Sequence, residues 1–165
     1  MEGRMLFRLG FLAVVVLQVA LLLAILVPEE RTLATGQEVL LQTVPLDPRD
    51  LFRGDYVQLR YTISTVHRPL GPGDSVFVAL EKRGDTWEVR EVYYTPPEGL
   101  FIKGRVATAS GDVANIEYGI ESYFVPEGSG HIIETASDVE VKVAVDSSGN
   151  AAIKQVLVDG KPFKP

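Results

Sequence analysis

The stretch from Leu9 to Val27 constrains the chain more than any other feature. It reads LGFLAVVVLQVALLLAILV, which contains no charged residue and only one strongly polar side chain, Gln18. A helix of this length measures about 28 Å, close to the hydrocarbon core of about 30 Å in a lipid bilayer. A helix buried in a soluble protein seldom lacks a polar face over such a length. The run therefore predicts a transmembrane helix over residues 9–27.

The residues on either side of the run predict its orientation. Arg4 and Arg8 precede it, and Pro28-Glu29-Glu30-Arg31 follows. A cleaved signal peptide is the alternative, but its apolar core is usually about 7 to 15 residues long and ends near a small-residue cleavage site that this chain lacks. By the positive-inside rule we expect a single-pass protein of the cytoplasmic (inner) membrane. Its predicted parts are a cytoplasmic N-terminus (1–8), the membrane helix (9–27), a tether (28–37) and an extracytoplasmic β-domain (38–165).

Gln18 lies in the middle of the predicted span. An amide that faces lipid is costly, so Gln18 is the candidate for a hydrogen bond to a neighbouring membrane helix. The alternative is an amide that a single-span anchor tolerates.

Charge and cysteine content exclude several classes of protein. The formal net charge is −6, and residues 1–31 carry three Arg and three Glu, so the negative charge belongs to the remainder. Nucleic-acid binding requires a basic surface, and we expect no nucleic-acid partner. The chain has no Cys, which excludes disulfides, thiolate nucleophiles and cysteine zinc sites. We predict no cofactor, no metal site and no catalytic residue.

From Glu38 onward the hydrophobic pattern has a period of two, which is typical of half-buried strands. About eight strands without crossover helices predict an all-β domain, an antiparallel barrel or sandwich. A short helix is expected near residues 128–136, with Ser129 as its cap and with Ile132 and Ile133 facing inward. The predicted strands are 38–44, 56–65, 75–82, 86–94, 100–107, 113–118, 139–145 and 151–158, with hairpin turns at 83–85 and 146–150.

One predicted strand, Tyr56 to Thr65, has two clearly different faces. Alternation places Val57, Leu59, Tyr61 and Ile63 on the inner face and Gln58, Arg60, Thr62 and Ser64 on the outer face.

The start of this strand contains a specific motif. Gly54-Asp55-Tyr56-Val57-Gln58-Leu59-Arg60-Tyr61 matches every fixed position of the GDYXXLXY signature, and the chain is identified from it as resembling that bacterial family. The resemblance extends to residues 47–53, 102–106 and 118–128. It implies a membrane-anchored protein that has no established biochemical activity and is often encoded beside polytopic membrane proteins. The family supplies no catalytic residue to carry over.

The motif and the segment before it are the predicted interaction site. Leu59 and Tyr61 are expected in the core, whereas Tyr56 falls on the outer face as a cross-strand partner or a contact surface. Asp47 and Asp50 are candidates to cap a turn. Arg49 and Arg53 are candidates to pair with Asp55 or Glu121. The full predicted site comprises Asp47, Arg49, Asp50, Arg53, Gly54, Asp55, Tyr56, Leu59 and Tyr61, with Gln18 as a contact within the membrane.

These observations favour a non-catalytic accessory or structural subunit of an integral membrane complex. Its expected partners are the lipid bilayer and a polytopic membrane protein that docks on the motif loop and strand. One alternative is an extracytoplasmic ligand-binding or sensing barrel, with a pocket lined by Tyr93, Tyr94, Phe101, Tyr118, Tyr123 and Phe124. A remote alternative is an inactive domain similar to bacterial type I signal peptidases. In that comparison Lys103 takes the position of the general base, but Leu46 stands where the nucleophilic Ser would be.

Overall fold

The computed structural model describes residues 2–44, 56–126 and 129–163. Within these ranges it describes every side chain except those of residues 2–9, 23, 25, 26, 28, 56, 131 and 134. The chain divides into two compact units, residues 1–31 and 32–165.

The first unit consists of helix α1, which runs from Glu2 to Thr35 and so continues into the second unit. The predicted membrane run lies inside this helix. Its large apolar side chains are exposed where they are described, for example Phe11 at 65%, Leu12 at 59% and Leu22 at 61%. Gln18 is exposed as well. Within the described residues, no helix has both the length and the apolar character that crossing a membrane requires.

Helix α1 extends through most of the segment predicted as a tether. It passes Pro28 and ends at Thr35, although an interior proline removes a backbone hydrogen bond and clashes with the preceding turn; the residues that follow are mostly good helix formers. Gly36 alone separates the helix from the first strand. A Cβ at Gly36 would lie 2.5 Å from the Thr32 carbonyl oxygen and 2.9 Å from the Val145 nitrogen. Only glycine fits at this junction.

The second unit contains eleven strands in its described part. They are β1 Gln37–Gln42, β2 Tyr56–Gln58, β3 Thr65–His67, β4 Ser75–Arg83, β5 Thr86–Tyr93, β6 Phe101–Ser110, β7 Val113–Glu117, β8 Ser122–Phe124, β9 Val139–Val145, β10 Ala151–Val158 and β11 Lys161–Pro162. A 3-10 turn occupies Thr62–Ser64, and a short helix, α2, occupies Gly130–Glu134.

The strands form three antiparallel sheets. Their orders are β1-β9-β10-β11, β2-β8 and β3-β7-β6-β4-β5. Strand β1 also contacts β5, and the sheets curve into a nearly closed, barrel-like arrangement. The expected all-β antiparallel fold is confirmed. The core between the sheets is rich in β-branched residues, including fully buried Val76, Val78, Val141 and Val143, which favour pleated, buried strands.

Both predicted hairpins are confirmed. Strand β4 pairs with β5 around the Gly84-Asp85 turn, and β9 pairs with β10 around residues 146–150. Asp146 holds the second turn, because its carboxylate accepts hydrogen bonds from the Ser148 and Asn150 backbone amides at 2.8 and 2.9 Å. Asp146 also accepts a bond from the Thr32 hydroxyl at 3.1 Å.

Other predictions about the second unit were wrong in detail. The single strand expected at Tyr56–Thr65 is two short strands separated by a bridge residue and a 3-10 turn. Ser64 was expected to be exposed on the outer face, but only 6% of it is exposed. Ile133 is buried as expected, but Ile132 is exposed, because neighbouring residues of a helix point in directions about 100° apart. Strands β8 and β11 were not predicted, since each has three residues or fewer.

Candidate functional site

The described part of the motif, from Tyr56 to Tyr61, changes partner repeatedly. Tyr56, Val57 and Gln58 pair with β8. The Arg60 carbonyl then accepts a bond from the Val44 amide at 2.8 Å, and Tyr61 bridges to Thr43 after β1. Beyond the 3-10 turn, β3 pairs with β7. One short segment therefore connects three sheets, and this change of partners explains why the expected long strand is interrupted.

The inner face of this segment is bound to residues 118–121 by two buried tyrosines. The Tyr61 hydroxyl donates to the Ile120 carbonyl at 2.6 Å, and the Tyr118 hydroxyl donates to the Ile63 carbonyl at 2.6 Å. We call these four residues the tyrosine clasp. Each bond joins a side chain of one segment to the backbone of the other, so the two segments hold each other in register.

Burial of the clasp affects the acidity of both hydroxyls. Tyr61 is 0% exposed and Tyr118 is 7% exposed. Desolvation raises the pKa of Tyr61 and of Tyr118 far above the ordinary tyrosine value, and the nearby negative charge of Glu121 raises both further. The hydroxyls therefore stay neutral and act as hydrogen-bond donors.

Glu121 completes the turn opposite the motif. Its carboxylate accepts hydrogen bonds from the Tyr118 and Gly119 backbone amides at 2.6 and 2.9 Å, and its backbone carbonyl accepts one from the Leu59 amide at 2.6 Å. Bonds from amides to a charged acceptor are stronger than neutral ones. Glu121 thus holds the 118–121 turn in the shape that Tyr61 binds. The predicted pairing of Glu121 with Arg49 or Arg53 lies outside the described residues.

Gly104 in β6 provides the space that Tyr118 occupies. A Cβ at this position would lie 2.4 Å from Cγ2 of Ile116 and 2.9 Å from Cδ1 of Tyr118. Contacts this short do not occur between real side-chain atoms, so the Tyr118 ring packs against bare backbone.

The outer face of the segment borders a cleft of about 210 Å³, which we call the motif cleft. Gln58 and Arg60 are exposed on one side of it. Ser64 lies in its lining, and the Ser64 Oγ is a buried side-chain atom that has no hydrogen-bond partner in the described structure. The other lining residues come from β6, β7 and the 118–121 turn; among them are Thr108, Asn115, Glu117 and Glu121.

One wall of the motif cleft is fixed by side-chain hydrogen bonds. The Asn115 amide nitrogen donates to Thr108 Oγ1 at 3.1 Å, and the Thr65 hydroxyl donates to Asn115 Oδ1 at 3.0 Å. The register of β6 against β7 shifts between Val106 and Thr108, which identifies a β-bulge in this wall. Bulges redirect side chains and occur often beside functional sites.

The structure locates only part of the predicted interaction site. Leu59 and Tyr61 are buried in the core, as expected. Tyr56 pairs with Phe124 through its backbone, but its side chain is not described. The remaining motif and loop positions lie outside the described residues: Asp47, Arg49, Asp50, Arg53, Gly54 and Asp55. Leu46 lies outside them as well.

The aromatic residues expected to line a ligand pocket differ in burial, and Tyr93 is half-buried. Phe101 and Tyr118 are core residues, Tyr94 and Phe124 are exposed, and Tyr123 packs edge-on against Phe163. A second, open groove of about 420 Å³ contains Lys103 together with Ser75, Arg105 and Glu117. Among the described residues, no group of three or more acidic or histidine side chains could hold a metal ion.

Comparison with known proteins identifies the family. A model described as "GDYXXLXY protein" matches residues 18–156. The chain belongs to the GDYXXLXY family. The match covers about half of α1, the motif and the strands from β1 to most of β10, so the family sequence corresponds to most of the barrel-like unit. No curated protein and no solved structure shows significant similarity to the chain.

The clasp shows what sequence reasoning missed in this GDYXXLXY protein. Alternation placed Tyr61 in the core, but it gave no sign of the bond to Ile120 or of the reciprocal bond from Tyr118. The separations along the chain are 59 and 55 residues. The buried hydroxyl of Ser64 was missed because strict alternation assigned it to the outer face.

Proposed function

We propose that the protein is a non-catalytic, membrane-anchored accessory subunit of an integral membrane complex, and that it docks on a polytopic partner through the GDYXXLXY loop and strand. The observation that carries this proposal is the contrast along the chain between α1 and the barrel-like unit. The described large apolar side chains of residues 9–27 in α1 are between 36% and 65% exposed, whereas many apolar side chains of the strands form a buried core.

The anchoring part of the proposal rests on the uncharged run in α1. Exposed apolar surface of this extent is unfavourable in water, and soluble proteins seldom carry it unless another surface covers it. Lipid acyl chains, with a partner helix at Gln18, would cover it. Arg4 and Arg8 before the run support a cytoplasmic N-terminus by the positive-inside rule.

The docking part rests on which side chains of the motif are buried and which are exposed. Leu59 and Tyr61 are buried, so they cannot touch a partner. Gln58 and Arg60 are exposed. The preceding sequence contains four charged residues, Asp47, Arg49, Asp50 and Arg53. Charges at a protein interface contribute mainly to the specificity and rate of association.

Extraction of cell membranes with alkaline carbonate tests the anchor. We expect the full chain to stay in the membrane pellet, and a variant with Leu17→Arg and Leu21→Arg to leave it, since each arginine at the centre of a span costs about 2.5 to 3.5 kcal/mol. Ala34→Arg is the control, because Ala34 is exposed but outside the apolar run. Extraction of the unaltered chain by carbonate would contradict the anchor.

Purification from native membranes in mild detergent tests docking. We expect one polytopic membrane protein to co-purify with the unaltered chain, at a constant molar ratio of the two proteins. A loop variant with Asp47→Asn, Arg49→Gln, Asp50→Asn and Arg53→Gln is expected to lose it. The control is Lys82→Gln, Arg83→Gln and Asp85→Asn, around the β4–β5 turn. Recovery of the unaltered chain alone, or equal recovery of the partner with the loop variant, would overturn the docking proposal.

The alternative of a ligand-binding barrel has one observation in its favour, which is the motif cleft with the unpaired hydroxyl of Ser64.

A further inference from the structure

We propose that the motif cleft binds a small zwitterion of the α-amino acid class, with its carboxylate on Arg60, its ammonium group on Glu117 and a hydrogen bond to the Ser64 hydroxyl. This inference does not rest on docking or on membrane anchoring, because every residue it uses belongs to the barrel-like unit.

The Ser64 hydroxyl is the starting point. Only 6% of Ser64 is exposed, its Oγ has no hydrogen-bond partner in the described structure, and the residue lines the cleft. Buried polar groups in folded proteins are almost always paired with protein, water or ligand. The Oγ itself has less than 1 Å² of accessible surface, so a polar atom in the cleft would supply the missing partner once the Ser64 side chain turns toward the cleft. Since a hydroxyl both donates and accepts, it suits a carboxylate oxygen or an ammonium group.

The volume of the cleft restricts the size of the occupant. About 210 Å³ is less than the range of about 300 to 1,000 Å³ that is usual for drug-sized ligands. A compact molecule of amino-acid size therefore matches this volume better than a nucleotide or an oligosaccharide, most of which would extend out of the open cleft.

The charges in the lining restrict the chemistry. Arg60 provides a guanidinium, which binds carboxylates through two parallel hydrogen bonds. Glu117 and Glu121 provide carboxylates, and the oxygens of Glu121 already accept two backbone amides. Glu117 is thus the better acceptor for an ammonium group. Two carboxylates disfavour a simple anion, and the guanidinium disfavours a metal cation, so a molecule with both charges matches best.

The wall of the motif cleft that β6 and β7 form is held in place before any ligand arrives. The Thr65, Asn115 and Thr108 side chains form a hydrogen-bonded chain across β3, β7 and β6. The bulge at Ala107 lies in the same wall. A site whose walls are fixed loses little conformational entropy when it binds, which favours affinity for a small ligand.

Isothermal titration of the full chain in neutral detergent micelles tests the inference. The probes are glycine, L-alanine, L-serine and L-glutamine, and the comparison compounds are acetate, methylammonium and glycerol. At least one amino acid should bind saturably at millimolar concentration, and it should bind about tenfold or more tightly than acetate or methylammonium. Failure of all four amino acids to bind, or equal binding of acetate or glycerol, would overturn the proposal.

Two variants identify the site. Ser64→Ala removes the unpaired hydroxyl without enlarging the residue, and Arg60→Gln removes the exposed guanidinium; each should weaken amino-acid binding about tenfold or more and leave the fold intact. Ser137→Ala and Lys82→Gln are the matched controls, since both residues are exposed away from the cleft. Unchanged affinity in Ser64→Ala and Arg60→Gln would place the binding elsewhere and overturn the proposal. Loss of the membrane partner in the docking experiment leaves these titrations unaffected, so the two proposals fail separately.

Discussion

The motif segment, Tyr56–Ser64, and the β4–β5 hairpin hold their shape in different ways. The hairpin forms seven register pairs between neighbouring strands around a glycine turn. The motif segment has only three such pairs with β8, and then relies on a bridge, a 3-10 turn and the tyrosine clasp. A regular hairpin tolerates many side chains because its backbone supplies the bonds. A segment bound through side chains depends on particular residues, which gives a structural reason for the fixed Leu and Tyr positions of the motif.

Truncation of Tyr61 should have the largest effect of any single change considered. Tyr61→Ala removes a fully buried ring and the bond to Ile120. We expect a loss of about 3 to 5 kcal/mol in the free energy of unfolding, which is typical of buried aromatic truncations. Urea unfolding followed by the fluorescence of Trp87, the single tryptophan of the chain, measures it. A loss below about 1 kcal/mol, the net value of one ordinary hydrogen bond, would show that the motif segment is no more dependent on its side chains than the hairpin.

Filling the space beside Tyr118 should come next. Gly104→Ala places a methyl group 2.4 Å from Ile116 Cγ2 and 2.9 Å from the Tyr118 ring. Overpacking of this kind costs about 1 to 3 kcal/mol. The same urea titration checks it. An unchanged unfolding midpoint would mean that the ring can move without disturbing the clasp.

Neutralising Glu121 should have a smaller effect. Glu121→Gln keeps the shape of the side chain but replaces a charged acceptor of two backbone amides with an amide. We expect a loss of about 1 kcal/mol. Glu98→Gln, at an exposed position, is the matched control and should change stability by less than about 0.5 kcal/mol. Equal losses of stability in the two variants would show that the charge of Glu121 does not stabilise the 118–121 turn.

The smallest effect is expected in the hairpin. Arg83 lies 2.8 Å from Glu81 and 3.4 Å from Glu88, and its side chain is 64% exposed. The hydrogen bond and the charge of Glu81 raise the pKa of Arg83, with a smaller effect of Glu88. Exposed ion pairs contribute little, so Arg83→Gln should leave the unfolding midpoint nearly unchanged. A loss of stability as large as that of Glu121→Gln would show that the hairpin depends on its side chains as much as the motif segment does.

The same contrast explains what could be predicted from the sequence. The hairpins follow from local alternation and turn residues, and the burial of Val57, Leu59, Tyr61 and Ile63 follows from alternation alone. The way in which the motif segment changes from one partner to the next does not follow from local alternation, because it depends on backbone groups far along the chain. The burial of Ser64 was not predicted either: Ser64 lines the cleft on the outer face, where alternation assigns it, but only 6% of it is exposed.

The site was only partly predictable. Leu59 and Tyr61 were correctly placed in the core. The motif cleft was not foreseen, because its walls come from the motif segment, β6, β7 and the 118–121 turn, which are far apart in sequence. The end of α1 at Thr35 was not predicted, because the predicted span stops at Val27, where the apolar run ends.

The central claim is that Tyr61 and Tyr118 act as one unit, and a double-mutant cycle tests it most directly. Tyr61→Phe and Tyr118→Phe each leave a buried carbonyl without its donor, and each should cost about 1 to 3 kcal/mol. Because both bonds join the same two segments, the double variant should differ from the sum of the single losses by about 0.5 kcal/mol or more. Additive losses would show that the two tyrosines act independently and would contradict the clasp.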